Sequence, residues 1–207
     1  MTEAQAPKAA PSRRCVAAFD FDGTISRRDT LGPFLARVSG TAPLVRTLAR
    51  NAPRLALVVA GRIDRDAEKE RVIGQLLRGR TTASVEAAGR EYAEVLWTRQ
   101  RFRAAAMERL VWHRESGHTI VIVSASLDVY LRPLAAHLGV DHVISCSLDD
   151  DGTGRVSGTL VGGNCRGPEK ARRLREWLGA EPVELWAYGD SSGDDELLAM
   201  ADHPTRV

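Results

Sequence analysis

The sequence predicts an α/β fold: a parallel sheet covered by helices on both faces, with a helical insertion after the first strand. Three observations lead there. The short run 15–19 is apolar and 119–123 is apolar and β-branched, as strands buried on both faces are, and 183–188 is largely apolar. From about residue 102 onward such runs alternate with helical patterns, which implies parallel strands joined by helical crossovers. Between the first two runs lie roughly seventy residues with apolar positions at three and four spacings and no strong strand signal.

Taken in order, the first strand is 15–19. Helices are expected over 31–38, 44–60, 67–77 and 85–101, with breaks at Ser39-Gly40, Ala52-Pro53, Gly61 and Gly79. A helix over 102–115 stops at Gly117, and a strand follows over 119–123. Residues 127–138 form a helix closed by Gly139; 142–148 read as a strand and 149–152 as a turn. Residues 155–161 suit one or two short antiparallel strands. The helix over 168–178 carries proline in its first turn. A strand at 183–188 and a short helix at 194–201 complete the pattern. Residues 204–207 look like the start of another strand, which leaves open whether the chain is cut short there. In domain terms, 1–14 is expected to be a disordered tail, 15–28 with 102–207 the core, and 29–101 an inserted cap.

The 207 residues suffice for one core and a smaller insert, and a net charge of +2 gives no footprint for nucleic acid. No apolar run is long enough to span a bilayer, and no amphipathic basic helix stands out, so no stable membrane anchor is expected. The leader has no apolar core, which makes the cytoplasm the expected compartment. Three cysteines without metal-type spacing give neither a disulfide framework nor a zinc signature. The pattern carries no information on oligomeric state.

The chemistry-bearing motifs fall at strand ends or in the segments that follow them. Phe19-Asp20-Phe21-Asp22-Gly23-Thr24 places two carboxylates, a turn glycine and a hydroxyl beyond the first buried strand. Carboxylates there are costly unless a cation and a phosphate compensate them, although Asp-Gly-Thr is also an ordinary turn sequence. Val123-Ser124-Ala125-Ser126 follows the second strand, where the Ser124 hydroxyl and the next backbone N–H, at Ala125, suit a phosphate oxygen at a helix start. Lys170 lies in the first turn of its helix, against the dipole, which suggests a partner of opposite charge. Tyr188-Gly189-Asp190-Ser191-Ser192-Gly193-Asp194 sets two acids around a tight loop after another buried strand. The Asp149-Asp150-Asp151 run lacks the glycine and final glutamate of a calcium loop and reads as a solvated turn.

In this order the four motifs resemble those of the haloacid dehalogenase superfamily, a Rossmann-like parallel sheet core with a cap between the first and second motifs. The helical cap and the hairpin before the lysine motif are similar to the phosphoserine phosphatase-like branch, subfamily IB. The resemblance implies a Mg2+-dependent phosphatase working through an aspartyl-phosphate on a small-molecule phosphomonoester. Asp20 would be the nucleophile and Asp22 the general acid and base. Thr24, Ser124, Ala125 and Lys170 would hold the phosphate. Asp20, the backbone carbonyl of Asp22, and Asp190 would ligate Mg2+, with Asp194 holding the ion through water or orienting Lys170. Asp29 stands near the position where the branch grips a substrate amine, and Arg27, Arg28, Arg62, Arg65 or Arg71 could read a carboxylate.

Two departures bear on the substrate. Ser124-Ala125-Ser126 replaces the usual Ser-Gly-Gly, and Gly193 replaces an asparagine of the last motif. Phosphoserine and histidinol phosphate are the substrates the resemblance suggests. Its alternatives are a lipid-phosphate phosphatase, a phosphotransferase, or a non-catalytic binding module of the same fold.

Overall fold

The computed structural model describes residues 13–207; of the expected N-terminal tail, residues 1–12 lie outside it. Arg14, assigned to that tail, instead opens the first strand, and its guanidinium lies 4.9 Å from the ring centre of Trp177.

The main sheet has five strands in the order β3-β2-β1-β6-β7, every pair parallel. They are β1 (Arg14–Phe19), β2 (Thr119–Leu127), β3 (His142–Cys146), β6 (Val183–Gly189) and β7 (His203–Arg206). β1 is central, and Val16 through Phe19 are wholly buried, which explains their unbroken apolar run. β2 lies on one side of β1 and β6 on the other, so the strand order reverses at β1. Ligands of such sheets bind at this reversal, beyond the carboxyl ends of the strands. The register sets the site: Phe19 pairs with Ile122 and with Tyr188, so Asp20, Ser124 and Asp190 emerge at one edge. Beneath them Phe19 stacks on Tyr188 with ring centres 4.2 Å apart.

The insertion holds α1 (Leu31–Ser39), α2 (Thr41–Val59), α3 (Arg65–Leu77) and α4 (Thr82–Arg99). Its two ends cross side by side: Arg27 N–H donates to Arg101 O at 3.0 Å and Arg103 N–H to Ile25 O at 2.9 Å. α5 (Ala104–Glu115) then leads into β2. The expected break at Ala52-Pro53 is absent, because α2 runs through Pro53. Asn51, two residues earlier, ties this helix to α3. Its amide donates to Thr47 O one turn back at 2.9 Å and to Gln75 Oε1 of α3 at 2.7 Å.

After β2 come α6 (Asp128–Leu138), the antiparallel hairpin β4 (Leu148–Asp150) and β5 (Val156–Leu160), and α7 (Pro168–Leu178). The expected strand 142–148 is therefore two strands, β3 and the start of the hairpin. α3 lies on β5 so closely that a Cβ on Gly74 would sit 2.4 Å from Gly158 O. The last expected helix begins as a single tight turn, Ser192–Asp194, followed by α8 (Asp195–Ala199). The C-terminal residues read as a strand start are β7, paired with β6.

Candidate active site

Asp20 follows β1 directly and is 5% exposed. Its Oδ1 accepts from Lys170 Nζ at 2.5 Å. Burial raises its pKa to about 6, with the Lys170 charge pulling the other way. Lys170 comes from the first turn of α7, as expected, and its second partner is Asp194 Oδ1 at 2.6 Å. Burial disfavours the ammonium, but two carboxylates outweigh it and its pKa lies above the ordinary value. Asp194 also closes its own loop: Oδ2 accepts from the N–H groups of Asp190 at 3.2 Å and Ser191 at 3.0 Å. Both Asp194 oxygens are thus engaged, one with Lys170 and one with its own loop.

Asp22 lies two residues on but points elsewhere. Its Oδ1 accepts from Thr30 N–H at 2.9 Å and the Thr30 hydroxyl at 2.7 Å, and its Oδ2 from the Ser126 hydroxyl. Burial raises its pKa, against the pull of these donors. Adjacent acids thus sit in different surroundings, one against a lysine and acids, the other among hydroxyls. Gly23, which follows them, is a requirement of space. A Cβ there would lie 2.1 Å from Asp190 Oδ2, and φ is +85°.

The second motif differs from expectation. β2 continues to Leu127 and α6 starts only at Asp128, so Ser124 is not at a helix N-terminus. Pairing with β3 is interrupted between Val123 and Leu127, and this bulge turns Ser124 and Ser126 toward the cavity. Ser124 Oγ accepts from Ser126 N–H at 3.1 Å. The carbonyl of Ala125 accepts from Lys69 Nζ at 2.5 Å. Thr24 is not brought to the site. It does not line the cavity, it is fully buried, and its hydroxyl has no partner among the described residues. Asp29 stands at the rim with one oxygen accepting from Gly32 N–H at 3.0 Å. Among the arginines, Arg71 braces α2 through Asn51 and Glu68, whereas Arg27, Arg28 and Arg65 line the cavity and Arg62 does not.

Sequence reasoning missed Ser126, Thr30, Lys69 and Asn164. Ser126 had a signal, since two serines two apart on a strand share a face. Lys69 had none, because a lysine among charges on a helix reads as a solvated face. Its Nζ also donates to Asn164 Oδ1 at 2.8 Å, and burial lowers its pKa. Asn164 in turn donates to Asp66 Oδ1 at 2.8 Å, so two residues of α3 hold the core at the cavity floor. The cavity of about 1050 Å³ has Asp20, Asp22, Lys170, Asp190 and Asp194 at its polar end.

Residues 17–199 match the family of haloacid dehalogenase-like hydrolases. The chain belongs to that family. Protein CicA of Caulobacter vibrioides is 39% identical over 189 residues, covering 90% of this chain and 83% of that protein. A probable phosphatase of Mycobacterium tuberculosis is 28% identical over 206 residues, 96% of this chain and 70% of that one. A phosphoserine phosphatase of Archaeoglobus fulgidus is 27% identical over 187 residues, 88% of this chain and 49% of that one. In fold, the chain is similar to a Bordetella pertussis protein of unknown function, with a TM-score of 0.76 and 24% identity over 91% of this chain and 87% of that one. A substrate-bound phosphoserine phosphatase matches with a TM-score of 0.62 and 18% identity over 92% and 84%.

The family's metal fits this site. Carboxylate oxygens of Asp20, Asp190 and Asp194 lie within 4.8 Å of one another, an all-oxygen set of the kind a hard divalent cation takes. Asp190 keeps an elevated pKa through burial and the Asp194 charge, which a cation would relieve. Among the described residues no helix is long and apolar enough to cross a membrane.

Proposed function

We propose that this chain is a Mg2+-dependent phosphomonoester hydrolase working through an aspartyl-phosphate on Asp20. The observation that carries the reading is the divergence of Asp20 and Asp22. Asp20 faces Lys170 and the acidic cluster, and Asp22 faces Ser126 and Thr30. One acid is placed to attack phosphorus and the other to handle the proton of the leaving group.

In the first half-reaction an Asp20 oxygen bonds to phosphorus as the ester P–O bond breaks. Asp22, protonated, gives its proton to the departing alkoxide. In the second, Asp22 takes a proton from water as that water attacks the acyl-phosphate, which releases phosphate and restores the Asp20 carboxylate. Lys170 balances charge on the phosphoryl oxygens, and Ser124 presents a hydroxyl from the bulge. Asp20, Asp190 and the Asp22 carbonyl would hold Mg2+, which when bound would supply further positive charge for the phosphoryl group. The insertion covers the cavity and sets the leaving group. For a small metabolite such as phosphoserine or histidinol phosphate, the support is Asp29 and the arginines at the rim.

Phosphate release from a panel of monoesters tests the reading, with Mg2+, with EDTA, and with Asp20→Asn. Turnover that needs Mg2+ and falls by about a thousand-fold or more in the variant supports it, the scale expected when a nucleophile is lost. Turnover retained by Asp20→Asn excludes it.

A further inference from the structure

We propose that the phosphomonoester taken by this site carries a long apolar chain, which lies along Val45, Leu48, Ala52, Leu55 and Val59 of α2. The proposal rests on the phosphohydrolase reading above and names its substrate class. The five residues recur at spacings of three and four, which places them on one face of the helix. At 1.5 Å per residue that stripe is ~21 Å long, more than one leaflet of a bilayer's hydrocarbon, ~15 Å. It is open to solvent: Val45 is 59% exposed, Leu48 39% and Val59 90%. Single exposed apolar residues are ordinary, whereas a continuous apolar stripe marks a binding surface.

The stripe is continuous with the catalytic cavity. Leu48, Leu55 and Val59, with Val58 beside them, wall the same cavity whose polar end is Asp20 and Asp22. Leu35 of α1 and Ile73 of α3 add apolar wall opposite. Its volume, about 1050 Å³, stands at the top of the range of roughly 300–1,000 Å³ that encloses drug-sized ligands. A phosphorylated amino acid would fill the polar end and leave the apolar walls wet.

Charge agrees with an anionic amphiphile. α2 contains no acidic residue, and Arg28 and Arg65 line the cavity without an ion pair among the described residues. They stand ready for a headgroup held between the catalytic carboxylates and the apolar wall. A break at Pro53 would divide the stripe into two short pieces. The helix runs through it, so the chain does have an amphipathic basic helix that the sequence reading passed over.

The test uses the full chain and monomeric n-alkyl phosphates of ~4, ~8 and ~12 carbons. Full burial of a methylene is worth ~0.8 kcal/mol, or about four-fold in affinity, so kcat/KM is expected to rise at least 50-fold per four carbons. Titration calorimetry of Asp20→Asn with the same series and Mg2+ should show the same trend in Kd. Leu48→Gln and the more exposed Val59→Gln should each flatten both trends, with melting temperature measured as the control for folding. A flat series with turnover throughout overturns the chain site and leaves the hydrolase reading standing. Chain-dependent binding without turnover by the native protein does the reverse. A stripe that joins two copies of the chain instead would show as a dimer dissociated by Val59→Gln with the alkyl series unaltered, and would also overturn the proposal.

Discussion

Asp20 and Asp22 are two residues apart in sequence and occupy opposite electrostatic settings, which is the source of their separate roles. Asp22→Asn keeps the shape and the hydroxyl partners but can neither give nor take a proton. We expect kcat on an alkyl phosphate to fall by ~10²–10⁴, the usual contribution of general acid-base catalysis, with a smaller loss on p-nitrophenyl phosphate, whose leaving group needs no proton. Steady-state kinetics on the two substrates checks this, and equal losses would contradict it. Gly23→Ala meets Asp190 at 2.1 Å and holds alanine at a φ of +85°. The strain alone is ~1–2 kcal/mol, and the displaced Asp190 should raise the Mg2+ concentration needed for half-maximal rate. A Mg2+ titration of rate that is unchanged in this variant would remove Asp190 from the metal set. These two aspartates and Asp190 were legible from the sequence because each follows a recognisable buried strand, and Lys170 because it stands in the first turn of a helix, against the dipole. Ser126 and Lys69 were not, since their partners depend on a bulge and on how the insertion meets the core.

At the level of elements, α5 carries a buried histidine behind the sheet. His113 Nε2 bonds with the Tyr188 hydroxyl at 2.9 Å and Nδ1 with His118 Nδ1 at 2.8 Å. Burial, with the neighbouring His118 and Arg109 charges, lowers its pKa from 6.5 to about 4. The folded value lies below the unfolded one, so between those limits the unfolded chain holds more protons. Stability from this group is therefore complete above pH 6.5 and is lost as pH falls toward 4, by at most ~3 kcal/mol. An NMR titration should find the His113 imidazole neutral at pH 5.5; a midpoint near its ordinary value would contradict the burial. Strands were read well from sequence because burial on both faces leaves an unmistakable composition. α2 was misread at Pro53 because a proline's local preference is read from sequence alone, whereas the helix packs on α3 and runs through it.

Across the whole molecule, α4 packs on α6 so closely that a Cβ on Gly89 would sit 2.2 Å from Val129 O, and three further contacts tie the insertion to the core near the site. The paired crossings at Arg27 and Arg103 join it to the first-motif loop. Gly79 N–H donates to Val156 O at 2.9 Å, which ties it to the hairpin. The third is Lys69, with Asp66, on Ala125 and Asn164 at the cavity floor. Lys69 thereby positions the bulge that carries Ser126 against Asp22. Lys69→Met should lower kcat/KM by ~10–100-fold, the scale of ~1.5–3 kcal/mol for lost charge-assisted hydrogen bonds, and Lys69→Arg should recover part of it. Kinetics of the pair checks the coupling; no change in either variant would leave the insertion a passive cover. The alternation of buried strands and helices made the parallel sheet readable in sequence, but contacts such as that of Asp66 with Asn164 join residues about a hundred positions apart, and no local pattern encodes those.

The central claim is that Asp20 carries the phosphoryl group between two half-reactions with Asp22 serving both. Intact and peptide mass spectrometry of Asp22→Asn, mixed with p-nitrophenyl phosphate and Mg2+ and quenched in acid, tests it most directly. The account predicts one phosphoryl group per chain, located on Asp20, accumulating because the variant can form the acyl-phosphate but not activate water to cleave it. Phosphate release with no phosphorylated Asp20 at any quench time, or a phosphoryl group found on another residue, would contradict it.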